Sequence, residues 1–435
     1  MIKIQTIEDV VEYQLCSGCG VCAGVDPDAF EMFDAPDYGR RPRKKAEPSS
    51  GVAIKSCPGV GLSHNEGPDI PHDKFWGPIL SVHEMCAADK HVRNIGSSGG
   101  LATALSLYGL ESGRVAGVVN STISDEQPWQ NESQICVDRQ QIIEAAGSRY
   151  SPASPGEALS HHDHGYGPLL FVGKPCDVAG LSKAQKQKAP NSDRVTLKVA
   201  FFCAGTPASQ GILQLLKKMG VEKPSQVKKL RYRGYGWPGK WFVSYGKPTQ
   251  EKELSYEESW DYLQKYRQWR CHICPDHSGE FADISVGDPW YKDHKNPQQN
   301  PNGSSLVVVR TSVGSKFLAD AIRDGYITDL AEDRSLIDKA QPNLMVSRGT
   351  LWGRLLALKL ARAPTPEYKG FSLFHAWISQ LTLLEKIKSI AGAIRRVRSK
   401  QLRQRIDRLS QKVNSPLTHA TDIKPLKRAK SGSRQ

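Results

Sequence analysis

A chain of 435 residues has room for about three domains, and its apolar, glycine and proline content is that of an ordinary soluble protein rather than a fibrous or disordered one. The net charge of +14 is concentrated at one end. Residues 381–435 hold 15 Lys or Arg against three acids, Glu385, Asp407 and Asp422, so this segment carries +12 and residues 1–380 carry +2. The body of the protein is therefore nearly neutral.

The N-terminal residues MIKIQTIEDVVEY contain acids and lack the apolar segment of a signal peptide. Along the chain, no window approaches the stretch of about 18 uncharged apolar residues that a membrane-spanning helix needs. We therefore expect a cytoplasmic protein, which the basic segment could hold at the inner face of the membrane. In a reducing compartment, the ten cysteines indicate metal sites more readily than disulfides.

Four regions follow one another along the chain. Residues 1–65 bear cysteines and are rich in Pro, Gly and charge, which predicts a small ferredoxin-like module stabilised by its metal. Residues 75–335 alternate strand-like and helical patterns, which predicts an α/β domain with a mixed sheet and flanking helices. Residues 336–413 are predicted to be helical, and residues 414–435 a flexible basic tail.

The individual elements follow from hydrophobic periodicity. Apolar runs typical of strands occupy residues 115–119, 169–172, 195–202, 284–286 and 306–309, and helical patterns occupy residues 101–110, 211–219, 316–322 and 351–360. Beyond these, Leu383, Ile387, Ile390, Ile394 and Val397 recur every three or four residues, and Leu402, Ile406, Leu409 and Val413 repeat the pattern after a step of five. This spacing predicts one long helix with a narrow apolar seam and an otherwise basic surface.

Three cysteines, Cys16, Cys19 and Cys22, recur every third residue in the stretch LCSGCGVCAGVDPDAF. This is the start of the bacterial ferredoxin motif C-x2-C-x2-C-x3-C-P, whose thiolates bind iron–sulfur clusters. Gly18 and Gly20 allow the tight turns that direct the sulfurs inward. Zinc sites usually contain paired C-x2-C motifs, so we favour an iron–sulfur cluster over zinc or free thiols.

The fourth cysteine of that motif is replaced by Asp26, although the following Pro27 is present. Cys57 restores a Cys-Pro pair in the sequence CPG. A longer loop adds little entropic cost, and a carboxylate is a harder ligand that suits these clusters less well. We therefore predict that Cys57 completes the set Cys16, Cys19, Cys22 and Cys57, called here the first cysteine group.

Four further cysteines form a second predicted site. Cys176 and Cys203 each follow a predicted strand and precede a helix, and the carboxyl ends of parallel strands meet in one crevice. Cys271 and Cys274 lie in a loop before another strand. Alone, Cys203 could be a small buried apolar residue and the CHIC pair half of a zinc site. Together we interpret Cys176, Cys203, Cys271 and Cys274, the second cysteine group, as a cluster site, and Cys86 and Cys136 as structural.

Across about residues 12–311 the chain contains, in this order, the motifs CSGCGVC, CPG, GSSGGLATAL, GKPCDVAG, FFCAGTPASQG, YRGYGWPG, CHICPDHSGEFADISVGDPW and GSSLVVVRT. In these motifs the chain resembles the coenzyme F420 hydrogenase/dehydrogenase beta-subunit family, which includes 7-hydroxymethyl chlorophyll a reductase. The resemblance implies FAD at the catalytic centre, one or two 4Fe–4S clusters, and the second cysteine group as ligands of the cluster in the main domain. Two departures are Lys174, where many relatives have Thr, and Asp26.

A glycine-rich turn, GSSGG, opens the predicted helix at residues 101–110. Free N–H groups and the positive end of the helix dipole favour phosphate at such a turn, although a Ser-Gly turn is usually only a helix start. The predicted contacts of the FAD pyrophosphate are Ser97, Ser98, Gly99 and Gly100.

Three residues farther along the chain are predicted to contact the flavin or its substrate. Arg233 could pair with phosphate or with the negative charge of a reduced flavin. Trp237 could stack on a ring or anchor its own loop. Asp288, in the sequence GDPW, follows a strand at a position suited to a polar contact. No catalytic acid or base stands out.

We interpret the protein as an FAD-dependent iron–sulfur oxidoreductase that passes electrons from a ferredoxin-like donor through 4Fe–4S clusters to FAD and on to an organic acceptor. One alternative is an F420-linked subunit with a deazaflavin donor, acting within a larger complex. Another is a zinc-ribbon nucleic-acid-binding protein, but the basic charge is confined to one segment without interleaved aromatic residues, so no nucleic acid is expected.

The basic helix has three possible partners at this stage. A basic amphipathic helix can lie on an anionic membrane surface, or its seam can pair with a partner subunit. It could also bind an acidic ferredoxin.

Overall fold

The computed structural model describes residues 2–64, 70–161, 167–292 and 303–406. The predicted tail at 414–435, together with Leu409 and Val413 of the predicted seam, lies outside these residues. Across the described ranges, none of the helices is both long and apolar enough to cross a membrane.

The N-terminal module consists of short elements around the first cysteine group. They are α1 (Ile7–Glu12), α2 (Val21–Val25), β1 (Phe30–Ala35), β2 (Gly39–Lys44), α3 (Val52–Ser56) and β3 (Gly61–Ser63). Helix α1 begins at a capping box, in which the side chains of Thr6 and Asp9 bond to each other's backbone N–H groups. Strands β1 and β2 pair as an antiparallel hairpin.

The main domain follows. Its elements are β4 (His72–Asp73), β5 (Gly77–Pro78), β6 (Ser81–Ala87), α4 (Lys90–Ile95), α5 (Leu101–Glu111), β7 (Gly117–Ile123), β8 (Asn131–Cys136), α6 (Arg139–Glu144), β9 (Leu169–Gly173), α7 (Pro175–Lys186), β10 (Val195–Phe201), α8 (Ser209–Lys218), β11 (Val227–Arg231), β12 (Lys240–Tyr245), β13 (Gln250–Ser255), α9 (Tyr256–Leu263), β14 (Ile284–Gly287), β15 (Ser305–Val309), α10 (Ser312–Arg323) and β16 (Ile327–Glu332). Four 3-10 turns cover Pro155–Ser160, Pro224–Gln226, Gln264–Tyr266 and Trp269–Ile273.

An eight-stranded mixed sheet forms the centre of this domain, with strand order β16-β6-β15-β14-β10-β9-β7-β8. The four strands β14, β10, β9 and β7 run parallel, and the outer strands are antiparallel. All five residues of β9 and of β15 are buried, as expected for strands covered on both faces. The fold class is confirmed as mixed α/β. A separate antiparallel sheet, β11-β12-β13, was not predicted.

The C-terminal region contains α11 (Leu336–Ala340), α12 (Pro342–Leu360), β17 (Glu367–Lys369), α13 (Leu373–Gln380) and α14 (Leu383–Ser399). One apolar core joins these helices to the N-terminal module: Leu351, Leu355 and Val397 pack in the same cluster as Val10 and Leu15. The N-terminal module therefore shares its hydrophobic core with the C-terminal helices.

The predicted long helix is wrong in two respects. First, α14 ends at Ser399, and Gln401 adopts a left-handed φ of 51°. The chain then turns back so that Leu402 is buried and Arg405 forms ion pairs with Asp9 and Glu12 of α1. The step of five residues between Val397 and Leu402 marks this break, because the last turn closes with a bond from the Leu402 N–H to the Val397 carbonyl.

Second, of the predicted seam in α14, only Val397 lies on the buried face with which the helix packs. The buried residues of α14 are Ser389, Ala393 and Val397, and Gly353 of α12 lies against the Ser389 hydroxyl. Leu383 and Ile387 of the seam are exposed. Because these residues are small, α12 and α14 can approach closely, and this close contact determines which face of α14 is buried.

The module also docks on the main domain through two glycines. A Cβ atom added to Gly24 of α2 would lie 2.0 Å from the carbonyl oxygen of Gly156, and the Gly156 N–H donates to the Cys19 carbonyl at 2.9 Å. Backbone atoms cannot move aside as a flexible side chain can. The first cysteine group is thus held to the main domain by direct backbone contact.

We expect Gly24→Ala to lower the free energy of unfolding by about 3 kcal/mol, because the added methyl overpacks this contact. Thermal unfolding measures the change. Gly51→Ala is the matched control, since its added Cβ would have only the Lys55 Cε atom nearby, at 3.8 Å. Equal melting temperatures for the two variants would contradict the close docking.

Candidate functional site

The predicted crevice lies at the carboxyl edge of the parallel strands. Lys174 follows β9, Cys203 follows β10 after Phe202, and Asp288 follows β14. Because β9, β10 and β14 are adjacent and parallel, these three residues emerge at the same edge of the sheet. This is the position at which open α/β sheets bind ligands.

The four residues of the second cysteine group come together at this edge. Burial is the main cause that raises the pKa of Cys176, with nearby Cys203 and Cys274 raising it further. Burial and then the neighbouring Cys271 raise the pKa of Cys203 to about 12. The Thr206 N–H donates to the Cys271 sulfur at 3.3 Å. The structure therefore brings four thiols from three separate stretches of chain near one another.

The first cysteine group also converges. Cys16, Cys19, Cys22 and Cys57 all line one small enclosed cavity of about 10 Å³. Burial and then the nearby Cys16 raise the pKa of Cys57 to about 11. Burial likewise raises the pKa of Cys22, again with contributions from the other three thiols.

Asp26 does not line that cavity. Its side chain is buried, and its Oδ2 atom has no hydrogen-bond partner among the described residues. The segment of more than thirty residues between Cys22 and Cys57, which contains β1, β2 and α3, folds back and places Cys57, the C-cap of α3, beside the other thiols. The structure thus brings Cys57, and not Asp26, to the three cysteines of the ferredoxin-like run.

The two groups are neighbours along helix α7. Cys176 lies in the first turn of α7, and Gly180 lies one turn later, about 6 Å along the axis. A Cβ atom added to Gly180 would stand 3.4 Å from the Cys19 sulfur. Only about one helical turn therefore separates the second group from the first.

Two buried arginines lie between the groups. Burial lowers the pKa of Arg41, while the charges of Cys16 in the first group and Cys271 in the second raise it. The Arg270 side chain donates to the carbonyl of Pro58, next to Cys57, and interacts with Cys274 and Cys176. The Nε atoms of both arginines have no hydrogen-bond partner in the described structure.

These surroundings fit an iron–sulfur cluster at each group. Buried thiols with raised pKa values lose their protons only if positive charge or N–H groups stabilise the thiolates. Gly18 and Gly59 donate N–H bonds to the sulfurs of Cys16 and Cys57 at 3.3 and 3.4 Å. Together with Arg41 and Arg270, these donors favour a negatively charged thiolate cluster.

A single zinc ion fits less well. Tetrahedral zinc with bonds of about 2.3 Å would draw four sulfurs to within about 4 Å of one another. Over the ranges that the structure describes, no group of three or more His, Cys, Asp or Glu side chains is arranged to hold one metal ion.

A cleft with a volume of about 260 Å³ adjoins the second cysteine group. Cys203, Lys174 and Asp177 form part of its wall. The Lys174 ammonium donates to Asp177 Oδ2 at 2.7 Å and to the Ala153 carbonyl at 3.1 Å. Cys203 is thus both a member of the second group and a surface of the cleft.

The predicted phosphate turn lies on the cleft as well. Ser97, Ser98 and Gly100 line it, as do the first three residues of α5, residues 101–103. Gly100 is the N-cap of α5 and provides no side-chain cap. Gly99 is placed differently: its N–H donates to the Ser305 hydroxyl at 2.9 Å, and it packs against backbone atoms of β15 and β6. The turn therefore presents an uncapped helix N-terminus to the cleft, without Gly99.

Arg149 is a cleft residue that sequence reasoning missed. It lines the cleft and donates to the backbone carbonyls of Ser121 and Glu144 at 3.2 and 3.3 Å. Burial lowers its pKa to about 10. The adjacent Ser148 N–H donates to the Ser97 hydroxyl at 2.5 Å, so the backbone next to Arg149 contacts the turn that opens α5.

Arg233, Trp237 and Asp288 meet one another. Two Arg233 N–H groups donate to the Asp288 carboxylate at 2.7 and 2.8 Å, and the Trp237 indole N–H donates to it at 3.0 Å. Burial would lower the pKa of Arg233, but the charge of Asp288 and then that of Tyr150 raise it above its usual value. Arg233 and Asp288 line the cleft, whereas Trp237 does not. Trp237 therefore anchors its loop and does not present a ring to the cleft.

We expect Asp288→Ala to lower the free energy of unfolding by about 3–5 kcal/mol, because it leaves the buried Arg233 guanidinium without its counter-charge. Denaturant unfolding measures the loss. The double variant Arg233→Met/Asp288→Ala removes both charges and should recover much of it. A double variant no more stable than the single one would contradict this account.

Aromatic side chains form another wall of the cleft and were not predicted. Tyr150, Tyr256, Trp260 and Trp290 all line it. Tyr256 stacks on Trp290 with ring centroids 5.2 Å apart, and Tyr150 lies 5.0 Å from Trp260. The spacing of Tyr256 and Trp260 by four residues, just after the capping box of Ser255 and Glu258, was the available signal for one helical face.

Two protein-family descriptions match the main domain. "Coenzyme F420 hydrogenase/dehydrogenase, beta subunit N-term" matches residues 82–160, and the description for the C terminus of the same protein matches residues 167–334. Together they span more than half of the chain. The protein belongs to the coenzyme F420 hydrogenase/dehydrogenase beta-subunit family. The first cysteine group and the helices after residue 334 lie outside both matched segments.

Individual relatives are distant in sequence. The chain is 26% identical to the coenzyme F420 hydrogenase subunit beta of Methanosarcina barkeri, over 63% of this chain and 88% of the relative. It is 25% identical to the protein of the same name from Methanothermobacter thermautotrophicus, over 62% of this chain and 88% of the relative. With the F420-dependent formate dehydrogenase 1 subunit beta of Methanococcus maripaludis, it shares 25% identity over 57% of this chain and 60% of the relative. All three are named as subunits of redox enzymes.

The fold is shared with a solved structure. A chain of the F420-reducing [NiFe] hydrogenase complex from Methanosarcina barkeri superposes with a TM-score of 0.51 and 23% identity. The match covers 66% of this chain and 96% of the other. This likeness shows a common fold for the two proteins.

Proposed function

We propose that this family member is an FAD-dependent iron–sulfur oxidoreductase that passes electrons from a ferredoxin-like donor to an organic acceptor bound in the cleft. Each cysteine group would hold a 4Fe–4S cluster, and the cleft would hold FAD and the acceptor. The observation that carries the proposal is Cys203, which belongs to the second cysteine group and also lines the cleft.

The convergence of each cysteine group supports the assignment of its four members as ligands. Cys16, Cys19, Cys22 and Cys57 would hold the first cluster, and Cys176, Cys203, Cys271 and Cys274 the second. Arg41 and Arg270 lie between the two groups, where their positive charges offset the negative charge of thiolate ligands. Helix α7 carries Cys176 of the second group and lies against Cys19 of the first group at Gly180.

The uncapped N-terminus of α5 is the site that we assign to the FAD pyrophosphate. Its free N–H groups and the positive end of the helix dipole favour an anion, and Arg149 adds a full positive charge beside them. Arg233 is already paired with Asp288, so Arg149 is the better partner for phosphate.

When bound, the clusters exchange single electrons and the flavin one or two, so together they link one-electron carriers to two-electron acceptors. The chain supplies position and environment. The second cysteine group faces the cleft through Cys203, and Lys174 and Asp177 form the polar wall beside it. Tyr256, Trp260 and Trp290 form an apolar wall that can hold a planar ring and exclude water.

We expect Arg149→Met to weaken FAD binding by about 10–100-fold, because the variant removes the full charge beside the helix N-terminus and keeps the apolar length of the side chain. Flavin fluorescence during dilution measures retention. Arg139→Met is the matched control, since Arg139 is exposed and pairs with Glu111 and Asp89 away from the cleft. Equal flavin retention by both variants would contradict the assigned phosphate site.

The proposal is tested by purifying the protein without air. We expect a brown protein with about eight iron atoms per chain, as two 4Fe–4S clusters require, and one FAD released on denaturation. A colourless protein free of iron and flavin would overturn the function.

A second candidate function is an electron-transfer subunit that uses reduced coenzyme F420 within a larger complex. The names of the relatives favour it, because several are subunits of F420-linked enzymes. Offering the holoprotein reduced F420 and reduced ferredoxin in separate assays distinguishes the donors. Turnover with artificial dyes alone would favour the subunit role.

A further inference from the structure

An exposed apolar surface lies on the two C-terminal helices, far along the chain from the cysteine groups. It consists of Phe374 and Ile378 on α13 and Leu383, Leu384 and Ile387 on α14, and we call these five residues the hairpin surface. Their exposed fractions are 54, 48, 75, 59 and 56%. Five large apolar side chains this exposed on two consecutive helices indicate an interaction site.

On α14, the residues of the hairpin surface lie apart from the buried face that packs on α12. Helix α14 packs on α12 through the line of Ser389, Ala393 and Val397, with Gly353 of α12 against Ser389. At 100° per residue, the seam of Leu383, Ile387, Ile390 and Ile394 lies about 90° around the helix from that line. The seam predicted from sequence therefore forms a second apolar face of α14. In the described structure, the N-terminal half of this face is exposed.

The helix that carries most of this surface is strongly basic. Helix α14 carries Lys386, Lys388, Arg395, Arg396 and Arg398 against one acid, Glu385, whose side chain caps the helix start with Thr382. The Lys386 ammonium donates to the Ile378 carbonyl at 3.0 Å and lies over the Trp377 ring, so it bridges the two helices. The sequence beyond the described residues is also basic.

Two features disfavour a helix or a second copy as the partner. A coiled-coil seam extends over three or four heptads, with charges of both signs beside it, whereas this seam ends with α14 at Ser399. A second copy would bring one basic face against another, and like charges repel. An apolar face on a helix whose charges are almost all positive is complementary to a surface with an anionic outer layer and an apolar interior.

We propose that the hairpin surface binds the interface of an anionic lipid bilayer. Phe374, Ile378, Leu383, Leu384 and Ile387 enter the boundary between headgroups and acyl chains, and Lys388 and Arg395 contact lipid phosphates and carboxylates. The helices lie in the plane of the membrane. This binding uses no residue of the cysteine groups or the cleft, so it does not depend on the proposed redox function.

The test is sedimentation of the full-length protein with vesicles of phosphatidylcholine, made with or without phosphatidylserine. We expect binding to the phosphatidylserine vesicles that is at least about tenfold tighter than binding to phosphatidylcholine alone, and that weakens as salt is raised. Leu383→Gln/Leu384→Gln/Ile387→Gln should reduce binding by about 100-fold, because it removes three inserting side chains. Lys388→Glu/Arg395→Glu should abolish the preference for phosphatidylserine.

Two matched controls distinguish binding through the hairpin surface from nonspecific binding through other exposed apolar or basic side chains. Val313→Gln/Leu330→Gln alters two side chains that are 54 and 47% exposed on other elements, and Lys217→Glu/Lys229→Glu reverses two exposed charges elsewhere. Both controls should bind vesicles as the native protein does. Circular dichroism shows that each variant is folded.

Three results would overturn the proposal. The native protein could stay in the supernatant with both kinds of vesicle, or the glutamine triple variant could bind as tightly as the native protein. A lipid-free dimer that the same triple variant dissociates, seen by sedimentation velocity, would assign the surface to a second copy instead.

Discussion

A Cys203→Ala variant is expected to lose about half of the iron of the native protein, close to four atoms per chain, while the first cluster remains. Electron delivery to a flavin in the cleft should fall more than about 100-fold, because the residue that joins the second cysteine group to the cleft is gone. Iron analysis and rapid mixing with a reduced one-electron donor measure the two effects. Flavin retention should stay near the native value, since α5 and Arg149 are unchanged.

The matched control for this experiment is Cys136→Ala. Cys136 is fully buried in the core of the main domain and belongs to neither cysteine group. We expect the control to keep all of its iron and its electron-transfer rate. If Cys203→Ala retained the iron content and rate of the control, the second cysteine group would not be a cluster site.

The variants Cys57→Ala and Asp26→Ala test which residue is the fourth ligand of the first cysteine group. Cys57→Ala should lose about four iron atoms per chain, because only three thiolates remain. Asp26→Ala should keep its iron and its stability, since the Asp26 Oδ2 atom is buried without a hydrogen-bond partner in the described part of the chain and its removal leaves nothing unsatisfied.

The iron count after anaerobic purification, with the electron paramagnetic resonance spectrum of the reduced protein, distinguishes the two variants. Loss of iron from Asp26→Ala, with retention in Cys57→Ala, would reverse the assignment of the fourth ligand. Loss from both would mean that the region around Cys22 tolerates no change, and Ala23→Ser is the control for that outcome.

The two cysteine groups are close because segments remote in sequence pack together. Local sequence patterns do not predict such packing. Gly180 and Cys19 are 161 positions apart in the sequence, yet a Cβ on one would contact the sulfur of the other. In the sequence, the residues around Arg41 show only a basic stretch. In the structure, Arg41 lies in the β1–β2 hairpin and interacts with Cys16 and Cys271. Contacts between such remote positions depend on how the module docks on α7.

Local patterns were most informative where a residue's environment depends on its immediate neighbours. The apolar run at 169–172 became β9, and the helical pattern at 101–110 became α5, because burial on both faces and 3.6-residue periodicity are properties of short segments. The spacing of Cys16, Cys19 and Cys22 similarly reflects the local turn at Gly18 and Gly20, which both have positive φ.

The tertiary structure changed the interpretation of residues with more than one possible partner. Arg233 was predicted to pair with phosphate or with a reduced flavin; in the structure it lines the cleft and pairs with Asp288, and Arg149 is a second cation in the cleft wall. Trp237 donates to Asp288, and the cleft-lining aromatic residues include Tyr150, Tyr256, Trp260 and Trp290. Periodicity shows that a helix has an apolar seam, as in α14, but Ser389 and Ala393 determine which face is buried.

Residue order alone was enough to identify strands, helices, ferredoxin-like cysteine spacing and membership of a family, because each depends on short-range geometry or on motifs in series. The convergence of eight thiols into two adjacent groups, the opening of one group onto a cleft and the exposure of the α13–α14 hairpin were settled only in three dimensions. The physical reason is that hydrogen bonds and periodicity act over a few residues, whereas packing joins segments hundreds of residues apart.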